Sequence, residues 1–244
     1  MSEIKAILFD LGSTLLEYEK FEWQEIARRG MIGGYQFLME NSITAPPIET
    51  CGRVFHEVYT QWSEEGRDEL IEVNFQEAVV EAFRRLELST DKDLVFDFIQ
   101  AYYQPISDDV EELEGASETL RELKSLGLTL VIVSNSVFPA YLHLKELRRY
   151  HILPYIDGMV FSCEIGVRKP HPDMYITGLE IAGCNVEEAV FVGDRFLEDV
   201  QGPEEIGLKG ILRIKPGREY PPEIEKYPSV NSVTEIKNLL ELGG

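Results

Sequence analysis

Cysteine is scarce in this chain: Cys51, Cys163 and Cys184 are three among 244 residues, far apart and without a CxxC pair. An odd, scattered set excludes a disulfide framework and a thiolate zinc site, and fits small buried hydrophobes in a reducing compartment. Basic residues are outnumbered, 23 Lys+Arg against 44 Asp+Glu, for a formal charge of −21. That field repels phosphate backbones and anionic lipid, so no nucleic-acid partner and no membrane partner is expected. No apolar run approaches the ~20 residues of a membrane span. The opening Met-Ser-Glu-Ile-Lys-Ala lacks the basic-then-apolar-then-small pattern of a secretory leader, so a cytoplasmic protein is expected. Internal repeats and low-complexity tracts are missing as well. What is abundant is apolar: 44% hydrophobic residues, with 12 Phe and 11 Tyr, exclude a disordered chain and suit one large domain or two smaller ones.

Two textures divide the sequence. Residues 1–16 and 109–244 carry short β-branched runs, Ile4–Leu11, Leu128–Ser134, Met159–Ser162, Ala189–Gly193 and Gly210–Ile214. Each is apolar nearly throughout, as strands covered on both faces must be. Between and after them lie amphipathic patterns at Ala116–Leu126, Pro139–Tyr150, Pro172–Ala182, Leu197–Ile206 and Val233–Leu242, with Gly127, Gly183 and Gly207 placed as left-handed C-caps. Such alternation predicts an α/β fold, a Rossmann-like parallel sheet flanked by helices. Residues 17–108 show no strand and four helical segments near 21–40, 48–66, 74–88 and 91–104, which predicts an inserted all-helical unit. Asn74 with Glu77 and Thr90 with Asp93 resemble capping boxes, and Pro105–Glu114 reads as the return hinge.

In a parallel sheet every strand delivers its next loop to one edge. The loops there read Asp10-Leu-Gly12-Ser13-Thr14, Ser134-Asn135-Ser136, Arg168-Lys169-Pro170-His171 and Gly193-Asp194-Arg195 running on to Asp199. Asp10, Asp194 and Asp199 crowded together would repel one another unless a hard cation sat between them, and Mg²⁺ with a substrate phosphate is the natural occupant. Ser134 and Lys169 would neutralise the remaining phosphate oxygens, and a carboxylate so held is a competent nucleophile.

These four loops, in order, resemble the signature motifs of the haloacid dehalogenase superfamily, and the helical insert after the first is similar to its C1-type cap. The likeness spans the chain and points to the phosphatase-like members. It implies Asp10 as nucleophile, and Ser134 and Lys169 as catalytic groups on the transferring phosphoryl. It implies Ser13, Thr14 and Asn135 as further phosphate contacts. For Mg²⁺ it implies Asp10, Asp194 and Asp199, with the carbonyl of Gly12. The substrate it implies is a small phosphorylated metabolite, a phosphomonoester or acyl phosphate, cleaved through an aspartyl-phosphate by a monomer or homodimer.

One departure stands out. Phosphatases of this superfamily carry a second Asp where this chain has Gly12, and that Asp protonates the leaving group. Acid–base catalysis contributes about 10²–10⁴-fold. Three readings follow: a substrate whose leaving group needs little protonation, a cap residue or water in the missing role, or a weakly catalytic or non-catalytic phosphate-binding module. Glu17 is the nearest following acid. A 2-haloacid dehalogenase is the weaker reading, because such enzymes dispense with metal and lack the Asp194/Asp199 pair. His171, between prolines, reads as structural, Tyr102 and Tyr103 as insert core, and Arg168 and Arg195 as flanking surface charges. Arg28, Arg53, Arg67, Trp23 and Trp62 are candidates for contact with the organic half of a substrate.

Overall fold

The computed structural model describes residues 3–242; Met1 and Ser2, read above for a leader pattern, lie outside them. The chain opens with β1 (Ala6–Phe9) and the two-residue β2 (Leu16–Glu17), then runs through four helices, α1 (Trp23–Glu40), α2 (Ile48–Glu65), α3 (Phe75–Arg85) and α4 (Lys92–Asp109). Strand β3 (Glu111–Glu112) returns antiparallel to β2, with Leu16 opposite Glu112. Then come α5 (Ala116–Ser125), β4 (Thr129–Ser134), α6 (Ala140–Arg149), β5 (Gly158–Phe161), the one-turn α7 (Ser162–Ile165) and α8 (Pro172–Ala182). Strand β6 (Ala189–Gly193) leads into a π-helix (Phe196–Gln201) and α9 (Gly202–Glu205), and β7 (Lys209–Arg213), β8 (Ser229–Val230) and α10 (Ile236–Leu239) close the fold.

Six strands form one parallel sheet in the order β5-β4-β1-β6-β7-β8. Alternation along β1 splits its side chains between two cores. Ile7 and Phe9 join Leu120 and Leu123 of α5 and Leu147 of α6, whereas Ala6 and Leu8 join Met174, Tyr175 and Leu179 of α8. Both faces are therefore covered, which is why the strands read as unbroken apolar runs. Gly127, Gly183 and Gly207 have φ of +84°, +65° and +85°, as C-cap glycines do.

Helices α1–α4 bury their own core of aromatic and branched side chains, among them Val58, Phe83, Phe98 and Ile99. At Gly30 the ring of Tyr102 occupies the place a Cβ would need, so α1 and α4 approach closely there. Three local expectations are corrected. Helix α4 does not stop before Pro105 but continues to Asp109, because burial of Tyr102, Tyr103 and Ile106 outweighs the lost backbone bond. Its N-cap is Asp91, accepting from Asp93 N at 3.0 Å and Leu94 N at 3.2 Å, rather than Thr90. The helix foreseen at Leu197–Ile206 begins as a π-turn, since Pro203 has no N–H for the carbonyl of Asp199.

The insert meets the sheet edge along residues 70–75. Arg168 N donates to Leu70 O at 2.8 Å, Glu72 N to Gly166 O at 3.1 Å and Phe75 N to Val137 O at 3.1 Å. Ser162 Oγ donates to buried Glu72 at 2.8 Å.

Candidate active site

Register brings the catalytic candidates together. Phe9 stands opposite both Ile132 and Val192, so the chains leave β1, β4 and β6 side by side. Asp10 N is tied to Val192 O at 2.8 Å. Ser134 Oγ donates to Asp10 Oδ1 at 3.0 Å. Lys169 Nζ donates to the same oxygen at 2.8 Å and to Asp199 Oδ1 at 2.6 Å, and it is 2% exposed. Asp10, Asp194 and Asp199 are all buried, and each offers a carboxylate oxygen within 4.8 Å of the others.

Asp199 reaches this position because Gly193 has no side chain: a Cβ there would collide with the Asp199 carboxylate. Its other oxygen accepts from Arg195 N at 2.7 Å, an arrangement set by the π-turn. Burial raises the Asp194 and Asp199 carboxyls above the ordinary range. Asp10 adds to both shifts, and Lys169 opposes that of Asp199. For Lys169 burial favours the neutral amine, but Asp10 and Asp199 together outweigh it and hold the ammonium charged. Lys169 bonds Asp10 and Asp199 and Arg218 bonds Asp194, so two cations face three carboxylates. A hard divalent cation fits this donor set, since oxygen ligands crowded in a buried pocket gain from its charge.

Residues 4–207 match the family described as haloacid dehalogenase-like hydrolases. The chain belongs to that family. A glyceraldehyde 3-phosphate phosphatase from Pyrococcus furiosus is 28% identical over 99% of this chain and 94% of its own length. Among solved structures, a 2-haloacid dehalogenase from Pseudomonas syringae superposes with a TM-score of 0.73 at 17% identity, covering 98% of both chains. A HAD phosphatase from Thermococcus onnurineus does so with a TM-score of 0.65 at 21% identity, covering 98% of this chain and 99% of its own.

The remaining candidates of this hydrolase fall into place unevenly. Thr14 Oγ1 lies 3.5 Å from Asp10 Oδ2, at the margin of a hydrogen bond. Ser13, with φ of +54°, turns its hydroxyl away from Asp10, to Glu17 at 3.1 Å and to Lys215 Nζ at 2.7 Å. Asn135 spends its amide on the main chain of Lys169, accepting from Lys169 N at 2.7 Å and donating to Lys169 O at 3.1 Å. Glu17 Oε1 accepts from Ser13 Oγ, Lys215 Nζ and Glu19 N. His171 caps α8, accepting from Asp173 N at 3.3 Å. Tyr102 and Tyr103 are buried in the insert core, and Arg28 and Arg53 pair with Glu25 and Glu57 on the surface.

Sequence reasoning missed two groups. Arg218 donates to the Asp194 carboxylate and Lys215 to Glu19, both from the loop after β7. The rule that strand-end loops converge would have found them had it been carried to the fifth apolar run. The second is a buried chain. Tyr18 and Tyr103 hydroxyls lie 3.1 and 3.0 Å from His143 Nδ1, and Ser136 Oγ lies 2.9 Å from its Nε2. Burial lowers the His143 pKa to about 3, so the ring is neutral. No sequence signal marked it as a unit, because its members come from three separated segments.

Proposed function

We propose that this hydrolase is a Mg²⁺-dependent phosphohydrolase acting on a small phosphomonoester or acyl phosphate. The observation that carries the reading is Asp10 itself: Ser134 and Lys169 both occupy Oδ1, leaving Oδ2 as the less encumbered oxygen, with Asp194 and Asp199 alongside. Asp10, Asp194 and Asp199, with the carbonyl of Gly12, would hold the metal, which when bound offsets phosphate charge that the −21 chain otherwise repels. Asp10 Oδ2 attacks phosphorus and the bond to the leaving-group oxygen breaks, giving an aspartyl-phosphate. Lys169 and Ser134 stabilise the charge on the transferring oxygens. Water then attacks phosphorus, releasing inorganic phosphate and restoring Asp10. The helical insert, seated over the edge through residues 70–75, limits the site to small molecules and excludes bulk water.

Gly12 offers no side-chain acid, Tyr18 and His171 bond His143 and Asp173 N, and Glu17 shares its Oε1 among Ser13, Lys215 and Glu19 N. This favours substrates whose leaving group departs without strong protonation, acyl phosphates foremost. The P. furiosus relative, named for a phosphorylated triose, makes small sugar phosphates the next class to assay. Three unpaired cysteines, two of them buried, fit a reducing cytoplasm. Purified protein is assayed with acetyl phosphate, glyceraldehyde 3-phosphate and p-nitrophenyl phosphate in Mg²⁺ and in EDTA, beside Asp10→Asn. Mg²⁺-dependent phosphate release lost in Asp10→Asn is the expected result. Equal rates in the two proteins would leave a phosphate-binding module without turnover.

A further inference from the structure

Beside the carboxylate cluster, joined to it through Asp194, lies an ion network that the phosphohydrolase reading leaves without a role. Its centre is Arg218. One guanidinium nitrogen, Nη1, donates to Asp194 Oδ2 and stands 3.3 Å from the main-chain oxygen of the same residue. The other, Nη2, donates to Glu19 Oε2 at 2.6 Å. Glu19 lies in the irregular segment between β2 and α1 that leads into the helical insert, and it also receives Lys215 Nζ at 2.7 Å and Arg195 Nη2. Tyr220 adds a second donor to Asp194 O at 3.0 Å.

The network is balanced in charge. In its ion pairs Arg195, Lys215 and Arg218 face Glu17, Glu19 and Asp194, three against three. What it does is mechanical. Asp194 is 1% exposed, and burial together with Asp10 and Asp199 disfavours its charge. Arg218 supplies a counter-charge and takes Oδ2, and Oδ1 receives no hydrogen bond from the described residues. The carboxylate is thereby turned, with one oxygen left for another ligand. A planar guanidinium reaches two carboxylates at once, which an ammonium on a flexible stem does less well.

We propose that Arg218 is a positioning residue that presents Asp194 to the divalent cation and ties the cation site to the linker entering the helical insert. The proposal rests on the metal reading above. Displacement of that linker pulls Glu19 from Arg218 and loosens Asp194, so cation affinity and insert position are coupled. The protein is stripped with EDTA, and Mn²⁺ binding without substrate is measured by calorimetry and by the free-Mn²⁺ electron paramagnetic resonance signal. Wild type is compared with Arg218→Gln, Arg218→Lys, Glu19→Gln and the Arg218→Gln/Glu19→Gln double variant. Their metal-free melting temperatures establish that each is folded. Loss of such an outer partner weakens metal binding about 10–100-fold, which is the expectation for Arg218→Gln, with Arg218→Lys recovering part of it. Glu19→Gln weakens Mn²⁺ binding too, and the double variant loses less than the two single losses combined, because the bridge is already broken. Unchanged or tighter Mn²⁺ binding in a folded Arg218→Gln variant overturns the role of Arg218 and leaves the metal reading intact. Strict additivity in the double variant overturns the link to the insert. Wild type that binds no Mn²⁺ overturns the metal reading and this proposal with it.

Discussion

Replacing Lys169 by Met keeps an unbranched side chain of similar reach and deletes the charge that two buried carboxylates share. Nζ stands 2.8 Å from Asp10 and 2.6 Å from Asp199, with 2% of the lysine exposed. At an effective dielectric near 20 each contact is worth about 6 kcal/mol before desolvation is charged against it. Removing one partner of such a buried set costs roughly 3–5 kcal/mol, because the remaining charges are left unpaired. The cost depends on pH with a definite sign. Burial already raises the Asp199 pKa and Lys169 is the group that opposes it, so the variant raises it further. A carboxyl that holds its proton in the native state but releases it on unfolding makes stability fall as pH rises. Below that raised pKa the penalty in Lys169→Met shrinks by about 1.4 kcal/mol per pH unit. Urea unfolding in EDTA, followed by far-ultraviolet circular dichroism at pH 8 and pH 6, measures this. Adding Asp199→Asn to Lys169→Met restores part of the lost stability at pH 8. A loss below about 1 kcal/mol at pH 8, typical of an exposed pair, would refute the reasoning. So would a loss of equal size at both pH values.

Gly12→Asp supplies the absent acid. The nearest atom to a Cβ at this position is Tyr18 Cδ2 at 3.8 Å, so the side chain has room to start. Hydrolysis of alkyl phosphates relative to acetyl phosphate is expected to rise by up to about 10²–10⁴-fold; an unchanged ratio in steady-state assays would mean that water or another group already delivers the proton. For His143, burial lowers the pKa to about 3 in the folded state. Its stability contribution is therefore present above the unfolded value near 6.5 and lost as pH falls toward 3. Wild type should lose about 2 kcal/mol more than His143→Gln between pH 8 and pH 5, read from paired urea titrations. Asn135→Ala frees the main chain of Lys169. At about 1–3 kcal/mol for an unsatisfied buried partner, kcat/KM should drop roughly 10–100-fold while acetyl phosphate remains a substrate, and Asn135→Asp should keep the acceptor half of the clamp.

Much of the site was legible because strand-end loops obey topology rather than detail. Asp10, Ser134, Lys169, Asp194 and Asp199 were named from apolar runs followed by polar loops, and a parallel sheet leaves such loops one edge on which to meet. Helix positions in the insert were legible from 3.6-residue spacing, as at Phe75, Val79, Ala82 and Phe83, all buried. Illegible were the features decided by competition between local and distant forces. Propensity ends α4 at Pro105, but a core of Tyr102, Tyr103 and Ile106 carries it to Asp109. Short strands such as β2 and β3 hold two residues each, too few to show a period.

The sequence by itself determined the fold class, the helical insert and the chemical composition of the candidate site's edge, because each depends on periodicity or residue type within a short window. The tertiary structure alone decided what each side chain does with its hydrogen bonds. Ser13, a candidate phosphate contact, hydrogen-bonds Glu17 and Lys215; Asn135, also expected to orient its loop through its amide, places that amide on the main chain of Lys169. Arg218, whose pairing no local pattern specifies, lies against Asp194 across 23 residues of intervening chain. Such pairings depend on ångström-scale placement of segments distant in the chain, and no local pattern encodes which of two neighbouring polar groups a buried donor will reach first.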